Sequence, residues 1–313
     1  MRLTVAAVLV SAALLPAACG GSPASPSTSS VSTSTGTTTT TTTSGGTTTA
    51  TGCTVTASTP GTPVTATNGP YFHNMAIAQT SNGLALTNAT DALAHASVPD
   101  ATVLPDGSIG VYYVNGETDG IWLARVNGTT ATPVSAIKID GFIRPQGAVD
   151  PDAYLTASGK VRLTYLFGFG SGTHRICMAE SSDGVNFTTL GQAMSFTGQT
   201  ETDPSVAQLP DGSWLMAVSR GTSTMLARSS DGLTFAEYSQ VSYGGVPELA
   251  RLSDGRMRLY VCSTGGLAAY ASSDRGGSWA SDGTVSGATI PGRPGVCDPS
   301  ALLSRNLFIF KTQ

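Results

Sequence analysis

Carboxylates stand beside five prolines that recur along the chain. The prolines are Pro99, Pro151, Pro204, Pro247 and Pro299, at successive spacings of 52, 53, 43 and 52 residues. The acidic residues are Glu201 and, directly beside a proline, Asp100, Asp150, Asp152, Asp203, Glu248 and Asp298. Carboxylates gathered around one axis repel one another, and this repulsion raises the pKa of some of them. A carboxylic acid that keeps its proton, next to a carboxylate that has lost its own, is the pair that cleaves glycosidic bonds.

Five of these carboxylates are our candidate catalytic residues: Glu248, Asp150, Asp298, Asp203 and Glu201. Glu248 is favoured as the proton donor because it begins a predicted inner strand, where burial and neighbouring carboxylates both raise a pKa. Glu201 lies in a predicted loop, where we expect water to solvate it better. An aspartate before a proline also starts a strand and bonds nearby backbone amides without any chemistry. That structural interpretation does not cover Asp100, Asp152 and Glu248, which follow the proline.

Each proline opens a predicted β-hairpin. A short apolar run follows it, then a turn such as Pro210-Asp211-Gly212, then a second apolar run. In the first four copies a glycine lies eight residues after the proline, at Gly107, Gly159, Gly212 and Gly255. Proline is tolerated at the first residue of a strand, and Asp-Gly between apolar runs is a strong hairpin signal. A strand–turn–strand unit with a period of roughly 40–50 residues predicts a β-propeller.

The two ends of the folded region complement each other. The last hairpin, residues 300–311, has no outer strands after it, and a strand pair from Asn74 to about Leu93 precedes any hairpin. Pairing these two pieces closes the ring and removes exposed sheet edges. We therefore predict an all-β fold over residues 71–313. It is a five-bladed β-propeller with four-stranded antiparallel blades, closed by the N- and C-terminal strands.

Strands alternate direction within a blade, so the inner strands begin at the same end of the channel as the long loops. We call this end the mouth. The long loops are residues 140–149, 167–174, 197–202 and 290–297. Functional loops cluster in this way on one face of a rigid scaffold. The residues that we expect to bind substrate are Asp100, Asp152, Arg144, Arg293, His73 and His174.

A second motif recurs between the hairpins. Residues 272–279, Ser-Ser-Asp-Arg-Gly-Gly-Ser-Trp, are similar in full to the Asp box of sialidase-like propellers, and 181–187 and 229–235 carry versions one residue shorter. Each copy follows an apolar run, so we predict that it forms the turn between the third and fourth strands of a blade. In the families that carry it the Asp box is structural, and we assign it no chemistry.

The proline repeats resemble the blade openings of five-bladed glycoside hydrolases, the furanosidase group of families 43 and 32. The segments that carry the resemblance are Val98-Pro99-Asp100, Asp150-Pro151-Asp152-Ala153-Tyr154 and Asp203-Pro204-Ser205-Val206. The resemblance implies a base and a pKa-modulating residue, each an aspartate before a proline, and Asp150, Asp203 and Asp298 fit that pattern. It also implies an acid glutamate two residues before a proline, where this chain has none. Glu201 and Glu248 are its nearest equivalents.

The N-terminus reads as an export signal. Arg2 precedes an apolar segment, Leu3 to Leu15, which is too short to span a membrane. Residues 1–19 are predicted to be a signal peptide that ends at Cys19, a candidate lipidation site in a segment that resembles a lipoprotein cleavage box; plain secretion is the alternative. Residues 20–70 are predicted to be a flexible linker, because Ser, Thr and Gly dominate its first thirty positions. We expect a bacterial cell envelope or secreted location.

Composition excludes several classes of function. Only 12% of the residues are charged, the net charge is −4 and there is no basic run, which argues against a nucleic-acid partner. The chain has no nucleophile elbow, phosphate loop or zinc spacing, so we expect no cofactor beyond a structural Ca²⁺ held by clustered carboxylates. We expect a monomer with a carbohydrate partner that touches a membrane only through a lipid anchor.

Four cysteines remain after Cys19, and three pairings are open. They are Cys53, Cys177, Cys262 and Cys297. Cys262 ends the second strand of the fourth predicted blade and Cys297 precedes the first strand of the fifth. These places are close in a propeller, so we favour that pair.

The sequence supports a glycan-acting propeller, with a glycoside hydrolase as the first hypothesis. A carbohydrate-binding or scaffolding propeller without catalysis is the alternative, favoured by the missing glutamate before a proline. A sialidase-like exo-glycosidase is the second enzyme hypothesis. It rests on the Asp boxes and on a partial arginine triad of Arg144, Arg220 and Arg293.

Overall fold

The computed structural model describes residues 52–61, 69–170, 173–198 and 200–313. The predicted signal peptide, Cys19 and most of the predicted linker lie outside these ranges. Apart from strands, the described chain contains a short helix α1 (Gly69–Phe72) and a 3₁₀ turn at Leu303–Arg305. Neither of these two short helical segments has the length or apolar content that crossing a bilayer requires.

Twenty-two strands make up the described fold. In chain order they are β1 (Asn74–Thr80), β2 (Leu86–Ala94), β3 (Ala96–Val103), β4 (Ile109–Asn115), β5 (Ile121–Asn127), β6 (Thr130–Ala136), β7 (Lys138–Ile139), β8 (Phe142–Ile143), β9 (Ala148–Leu155), β10 (Val161–Phe167), β11 (Arg175–Ser181), β12 (Asn186–Ser195), β13 (Glu201–Gln208), β14 (Trp214–Arg220), β15 (Ser223–Ser229), β16 (Ala236–Val241), β17 (Gly245–Arg251), β18 (Met257–Ser263), β19 (Gly266–Ser272), β20 (Ala280–Thr284), β21 (Val296–Leu302) and β22 (Leu307–Thr312).

Five sheets form the blades, as predicted. Blade 1 is β3–β6, blade 2 contains β9–β12, blade 3 is β13–β16 and blade 4 is β17–β20. Blade 5 has the order β2-β1-β22-β21, so strands from both ends of the folded region share one sheet. Asn74 pairs with Thr312 at one end of this junction and Gln79 with Leu307 at the other. The predicted closure of the ring by the two termini is confirmed.

Blade 2 departs from the predicted four strands. Its sheet has six, because β7 pairs in parallel with the outer strand β12 and β8 pairs with β7. The segment between blades 1 and 2 therefore extends this sheet at its outer edge, where the sequence indicated only an irregular loop.

Apolar side chains from neighbouring blades form the core. Tyr112 and Leu123 of blade 1 pack with Leu163 and Tyr165 of blade 2, all of them fully buried. Alternation along the strands puts these residues on the faces that meet between blades. The three tryptophans, which are Trp122, Trp214 and Trp279, pack against such clusters as partly buried residues.

The folded part begins earlier than the composition indicated. Cys53 is fully buried and forms a disulfide with Cys177 in β11. Thr59 donates its backbone N–H to the Arg144 carbonyl, 2.9 Å away, and Ser58 forms a β-bridge with Pro145. The linker boundary at residue 70 is therefore wrong for residues 52–61, because a disulfide and a backbone bridge anchor a segment that has few apolar side chains.

The second disulfide joins Cys262 to Cys297, the pair that the sequence favoured. It connects the second strand of blade 4 to the first strand of blade 5. Disulfides form and persist in oxidising compartments, so the two bonds together indicate an extracytoplasmic protein.

Candidate functional site

The residue before each recurring proline has a left-handed backbone. These residues are Val98 (φ 47°), Asp150 (φ 50°), Asp203 (φ 49°), Val246 (φ 50°) and Asp298 (φ 47°). This conformation is uncommon for residues with a side chain, and a β-branched valine there is a genuine outlier. Each inner strand also carries a register shift at this point. The strain occurs at the same place in all five blades, around the mouth of the channel.

This bulge separates the two residues that flank each proline. Regular alternation along a strand would place these two residues, which are two apart, on the same side of it. In the structure, the residues before the prolines bond with one another, from the backbone N–H of one to the carboxylate of another, and the side chains after the prolines form a second set. The expectation of one ring of carboxylates is wrong because a β-bulge breaks the two-residue period.

The mouth ring contains three aspartates from three blades: Asp150, Asp203 and Asp298. Asp298 Oδ2 accepts the Lys311 ammonium at 3.1 Å and the Val98 N–H at 3.2 Å. Asp150 Oδ2 accepts the Asp203 N–H at 3.3 Å. Asp203 accepts the Thr202 hydroxyl at 2.5 Å.

Burial and mutual repulsion act on the mouth aspartates. Burial raises the pKa of Asp150 well above its ordinary value, and the charges of Asp203 and Asp298 raise it further. Burial, followed by the charge of Asp298, raises the pKa of Asp203 to about 6. The mouth therefore combines two carboxyls whose pKa is raised with one that is paired to a cation.

Lys311 is the functional candidate that the sequence analysis missed. It lies on the second strand of blade 5, opposite Cys297. The residues in the same place on the other blades are Val114, Leu166, Ser219 and Cys262. Alignment of the repeats would have shown the one charged residue at this position. The last hairpin is shorter, however: Lys311 lies 12 residues after its proline, where the others lie 15 after theirs.

His73 lies beside this ion pair. Its Nδ1 atom is 2.7 Å from the Ser97 hydroxyl. Burial and then the Lys311 charge lower the pKa of His73, while Asp298 and a hydrogen bond with Gln313 act in the opposite direction. A neutral imidazole at the mouth is suited to hydrogen bonding with a sugar hydroxyl.

The side chains after the prolines form a closed ring of hydrogen bonds between blades. Each accepts the backbone N–H that lies two residues after the next blade's proline. The five bonds are Asp100 to Ala153 (2.7 Å), Asp152 to Val206 (3.2 Å), Ser205 to Leu249 (2.9 Å), Glu248 to Ala301 (3.0 Å) and Ser300 to Ala101 (3.0 Å). We call this set the post-proline ring. This ring gives a structural reason for carboxylates after the proline, because Asp100, Asp152 and Glu248 each bond to the next blade. The sequence did not show that reason.

The three carboxyls of this ring form a buried triad. Oxygens of Asp100, Asp152 and Glu248 lie within 4.8 Å of one another. Burial raises the pKa of Asp100 to about 7. Burial, with the charge of Asp100, raises the pKa of Glu248 to about 8, as the sequence led us to expect. Burial and both neighbours raise that of Asp152 well above its ordinary value. Such carboxyls are chemically able to give and take protons near neutral pH.

One triad oxygen has no hydrogen-bond partner among the described residues. It is Asp152 Oδ2, whereas the other five triad oxygens each accept a hydrogen bond. Oxygen-only donors suit Ca²⁺, and a proton on this oxygen would equally relieve the repulsion. A second cluster, Cys262, Cys297 and Asp298, does not fit a metal because its cysteines form a disulfide.

Glu201 is not in a solvated loop. It starts β13, is buried, and accepts the Arg220 Nε–H at 3.1 Å through Oε1, while Oε2 has no partner. The expectation of better solvation is wrong because Arg220 draws the carboxylate against the blade. His174 is also buried, with its Nδ1 2.8 Å from the Glu201 carbonyl and its ring 6.4 Å from that of Phe169.

The arginines of the mouth face each have a separate environment. Arg293 forms an ion pair with Asp91 of blade 5 at 2.9 Å. Arg220 pairs with Glu201 and Glu237 of blade 3. Arg144 reaches back to the N-terminal segment, 3.5 Å from the Thr59 carbonyl. Arg144 and Arg293 thus belong to different parts of the rim, as do the other two predicted ligands, His73 and His174.

The channel is narrow between the two rings. A chamber of about 20 Å³ is lined by residues of both rings and by all five prolines. A wider cavity of about 480 Å³ opens beyond the post-proline ring, and Asp100, Asp152 and Glu248 line it. These three carboxyls therefore border the turn end of the channel as well, whereas the mouth aspartates do not.

Comparison with known proteins supports the fold. No protein-family profile and no curated protein matches the sequence. The structure is similar to an exo-1,5-α-L-arabinanase from a bovine ruminal metagenomic library, at 15% identity and a TM-score of 0.51, covering 69% of this chain and 87% of that one. A protein of unknown function from Dyadobacter fermentans matches at 14% and 0.50, covering 68% and 75%. A family 43 α-L-arabinofuranosidase from Clostridium thermocellum matches at 13% and 0.48, covering 64% and 77%. The resemblance to five-bladed glycoside hydrolases is thereby confirmed for the fold.

Proposed function

We propose that the protein is a glycan-acting enzyme of the glycoside hydrolase class whose reaction takes place at the mouth of the channel. The observation that carries this proposal is the mouth ring. Asp150, Asp203 and Asp298 come from three different blades, stand on strained backbone, and differ in their electrostatic surroundings. Backbone strain kept at one site in every blade is typical of functional positions.

The chemistry needs one protonated and one ionised carboxyl. The protonated carboxyl donates its proton to the glycosidic oxygen as the bond from that oxygen to the anomeric carbon breaks. The ionised carboxylate takes a proton from a water whose oxygen bonds to the same carbon. In a double displacement this carboxylate would first bond to the carbon itself, and water would then release it. Either route adds one water across the glycosidic bond.

Arabinan is the first substrate to test, because an exo-arabinanase shares the fold. Xylan, fructan and sialoside substrates are the other candidates. The two disulfides are consistent with action outside the cytoplasm. In this proposal Cys19 and the linker would hold the propeller at the envelope surface, and secretion is the alternative.

A carbohydrate-binding propeller without catalysis is the second candidate. Three observations favour it. The carboxyls of the mouth ring are all aspartates, and the chamber behind them is about 20 Å³. The glutamate of the post-proline ring is tied into bonds between blades. A binding protein would retain its affinity for the sugar after the mouth aspartates are changed to asparagine and would release no product.

The proposal is tested by hydrolysis of these substrates. The wild-type protein should release reducing sugar from at least one of them, and Asp150→Asn and Asp298→Asn should abolish that release while the fold is retained.

A further inference from the structure

The mouth ring holds three aspartates and one lysine, and the lysine forms an ion pair with one of the three. The Lys311 ammonium forms an ion pair with Asp298 at 3.1 Å, and both side chains are largely buried. Among the described residues, no ion pair joins Asp150 or Asp203 to a cation. The same Asp298 oxygen also accepts the Val98 N–H at 3.2 Å.

Asp150 has the weakest stabilisation of negative charge. Its Oδ2 accepts only the Asp203 N–H, at a long 3.3 Å. Asp203 accepts the Thr202 hydroxyl at a shorter 2.5 Å. Ionising all three mouth aspartates at once is unfavourable, because negative charges this close repel one another. The pairing with Lys311 therefore decides which carboxyl keeps its charge.

We propose that Lys311 is a positioning residue that keeps Asp298 ionised as the base or nucleophile and leaves the transferable proton on Asp150. The catalytic roles of Asp298 and Asp150 in this proposal rest on the proposed function. The order in which the mouth aspartates gain protons, which we call the charge order, does not. The titratable and charged groups around Asp298 are Asp150, Asp203, Lys311 and His73. The pKa of His73 is lowered by burial and by Lys311, so this imidazole does not supply a competing positive charge near neutral pH.

Lys311 also lines a pocket. The pocket has a volume of about 230 Å³, and its other lining residues include Ser263, Gln313 and Cys297. Cys297 directly precedes Asp298 in the chain, so the ion pair lies beside this pocket.

The test is carbon NMR of the protein labelled with ¹³C at the aspartate carboxyls. Asp150→Asn, Asp203→Asn and Asp298→Asn assign the three signals. In the wild type, Asp298 should be the last of the three to gain a proton as the pH is lowered. In Lys311→Met, Asp298 should gain its proton at a pH about 1–3 units higher than in the wild type. Lys311→Arg should restore the wild-type order.

Lys160→Met is the matched control, because Lys160 pairs with Glu180 on an exposed surface away from the mouth. It should leave the Asp298 titration unchanged. The proposal is overturned if Asp298 is not the last of the three to gain its proton in the wild type, or if its titration does not move in folded Lys311→Met. The absence of hydrolysis on every substrate would remove the proposed function and leave this charge order to be judged by NMR.

Discussion

The Ser205 hydroxyl donates a hydrogen bond to Glu248 Oε2 at 2.9 Å and accepts the backbone N–H of Leu249, also at 2.9 Å. It therefore ties blade 3 to blade 4 with both of its hydrogen-bonding functions. At every other blade junction around the channel, a post-proline side chain likewise accepts a backbone N–H of the next blade. A carboxylate in this ring is a structural tie as well as a titratable group.

Loss of this hydroxyl should destabilise the propeller. In Ser205→Ala the Leu249 N–H and Glu248 Oε2 both lose a buried partner. Each such loss costs about 1–3 kcal/mol, so we expect the free energy of unfolding to fall by about 2–6 kcal/mol in urea titrations. Ser158→Ala, in an exposed turn, is the control and should stay within about 0.5 kcal/mol. Equal stabilities for the two variants would contradict the ring's structural role.

Stability should fall as the pH rises from about 5 to about 8. The folded pKa values of Asp100 (about 7) and Glu248 (about 8) lie above the values of about 4 for the unfolded chain. The folded state therefore binds more protons in this window. The stabilisation is complete below about pH 4 and is lost as the pH passes through the folded pKa values.

Each group contributes about 1.4 kcal/mol per pH unit between pH 5 and its folded pKa, so we expect a fall on the order of 7 kcal/mol in chemical unfolding at a series of pH values. Glu248→Gln should make the dependence shallower, whereas Glu117→Gln, at an exposed position, should not. Aspartates with lowered pKa values, such as Asp183 and Asp274, lose stabilisation only below this window. Stability that rises from pH 5 to pH 8 would show that the buried triad is not proton-rich in the folded state.

Removal of Ser300–Gln313 should unfold the domain. This segment supplies all of β22, where Phe308, Ile309 and Phe310 are fully buried, and β1 would lose its partner on that side. We expect no cooperative thermal transition. Removal of residues 1–51 should leave the transition in place, and a cooperative melt of unchanged midpoint after the C-terminal deletion would contradict ring closure.

The two glutamates that the sequence singled out can be separated from the mouth aspartates by kinetics. Sequence alone favoured Glu248 as the proton donor, but both of its oxygens accept bonds within the post-proline ring, so we now propose Asp150. Glu248→Gln and Glu201→Gln should keep kcat within about tenfold on a substrate with a poor leaving group. A loss of about 10²–10⁴ in either variant would make that glutamate the general acid.

A chelator tests the cation that the carboxylate triad is able to hold. Ca²⁺ bound at Asp100, Asp152 and Glu248 would stabilise the folded state by mass action. If protons rather than a cation relieve the repulsion, excess EDTA should leave the melting temperature unchanged at pH 6. A drop of several degrees that added Ca²⁺ reverses would assign the site to the ion.

The sequence predicted the fold well because each repeat contains clear signals for the start of a strand and for a turn. Proline, Asp-Gly turn and apolar alternation recur in each blade, and the unmatched strands at the two ends required closure. It did not predict the two rings, because a proline usually holds the preceding residue in an extended conformation, whereas here Val98 and its four equivalents are left-handed. Lys311 escaped notice because the shortened last hairpin shifts its place in the repeat. The sequence analysis named Arg220, but its ion pair with Glu201 depends on side-chain geometry that residue spacing does not show.

The most direct test of the account is the initial rate of product release from arabinan, xylan, fructan and sialoside substrates. We predict release from at least one substrate by the wild type, a loss of at least about 10² in both Asp150→Asn and Asp298→Asn, and no loss in Asp254→Asn at an exposed turn. Circular dichroism of each variant confirms that the fold is kept. No release from any substrate, or full activity in both mouth variants, would contradict the claim that the mouth aspartates carry out glycoside hydrolysis.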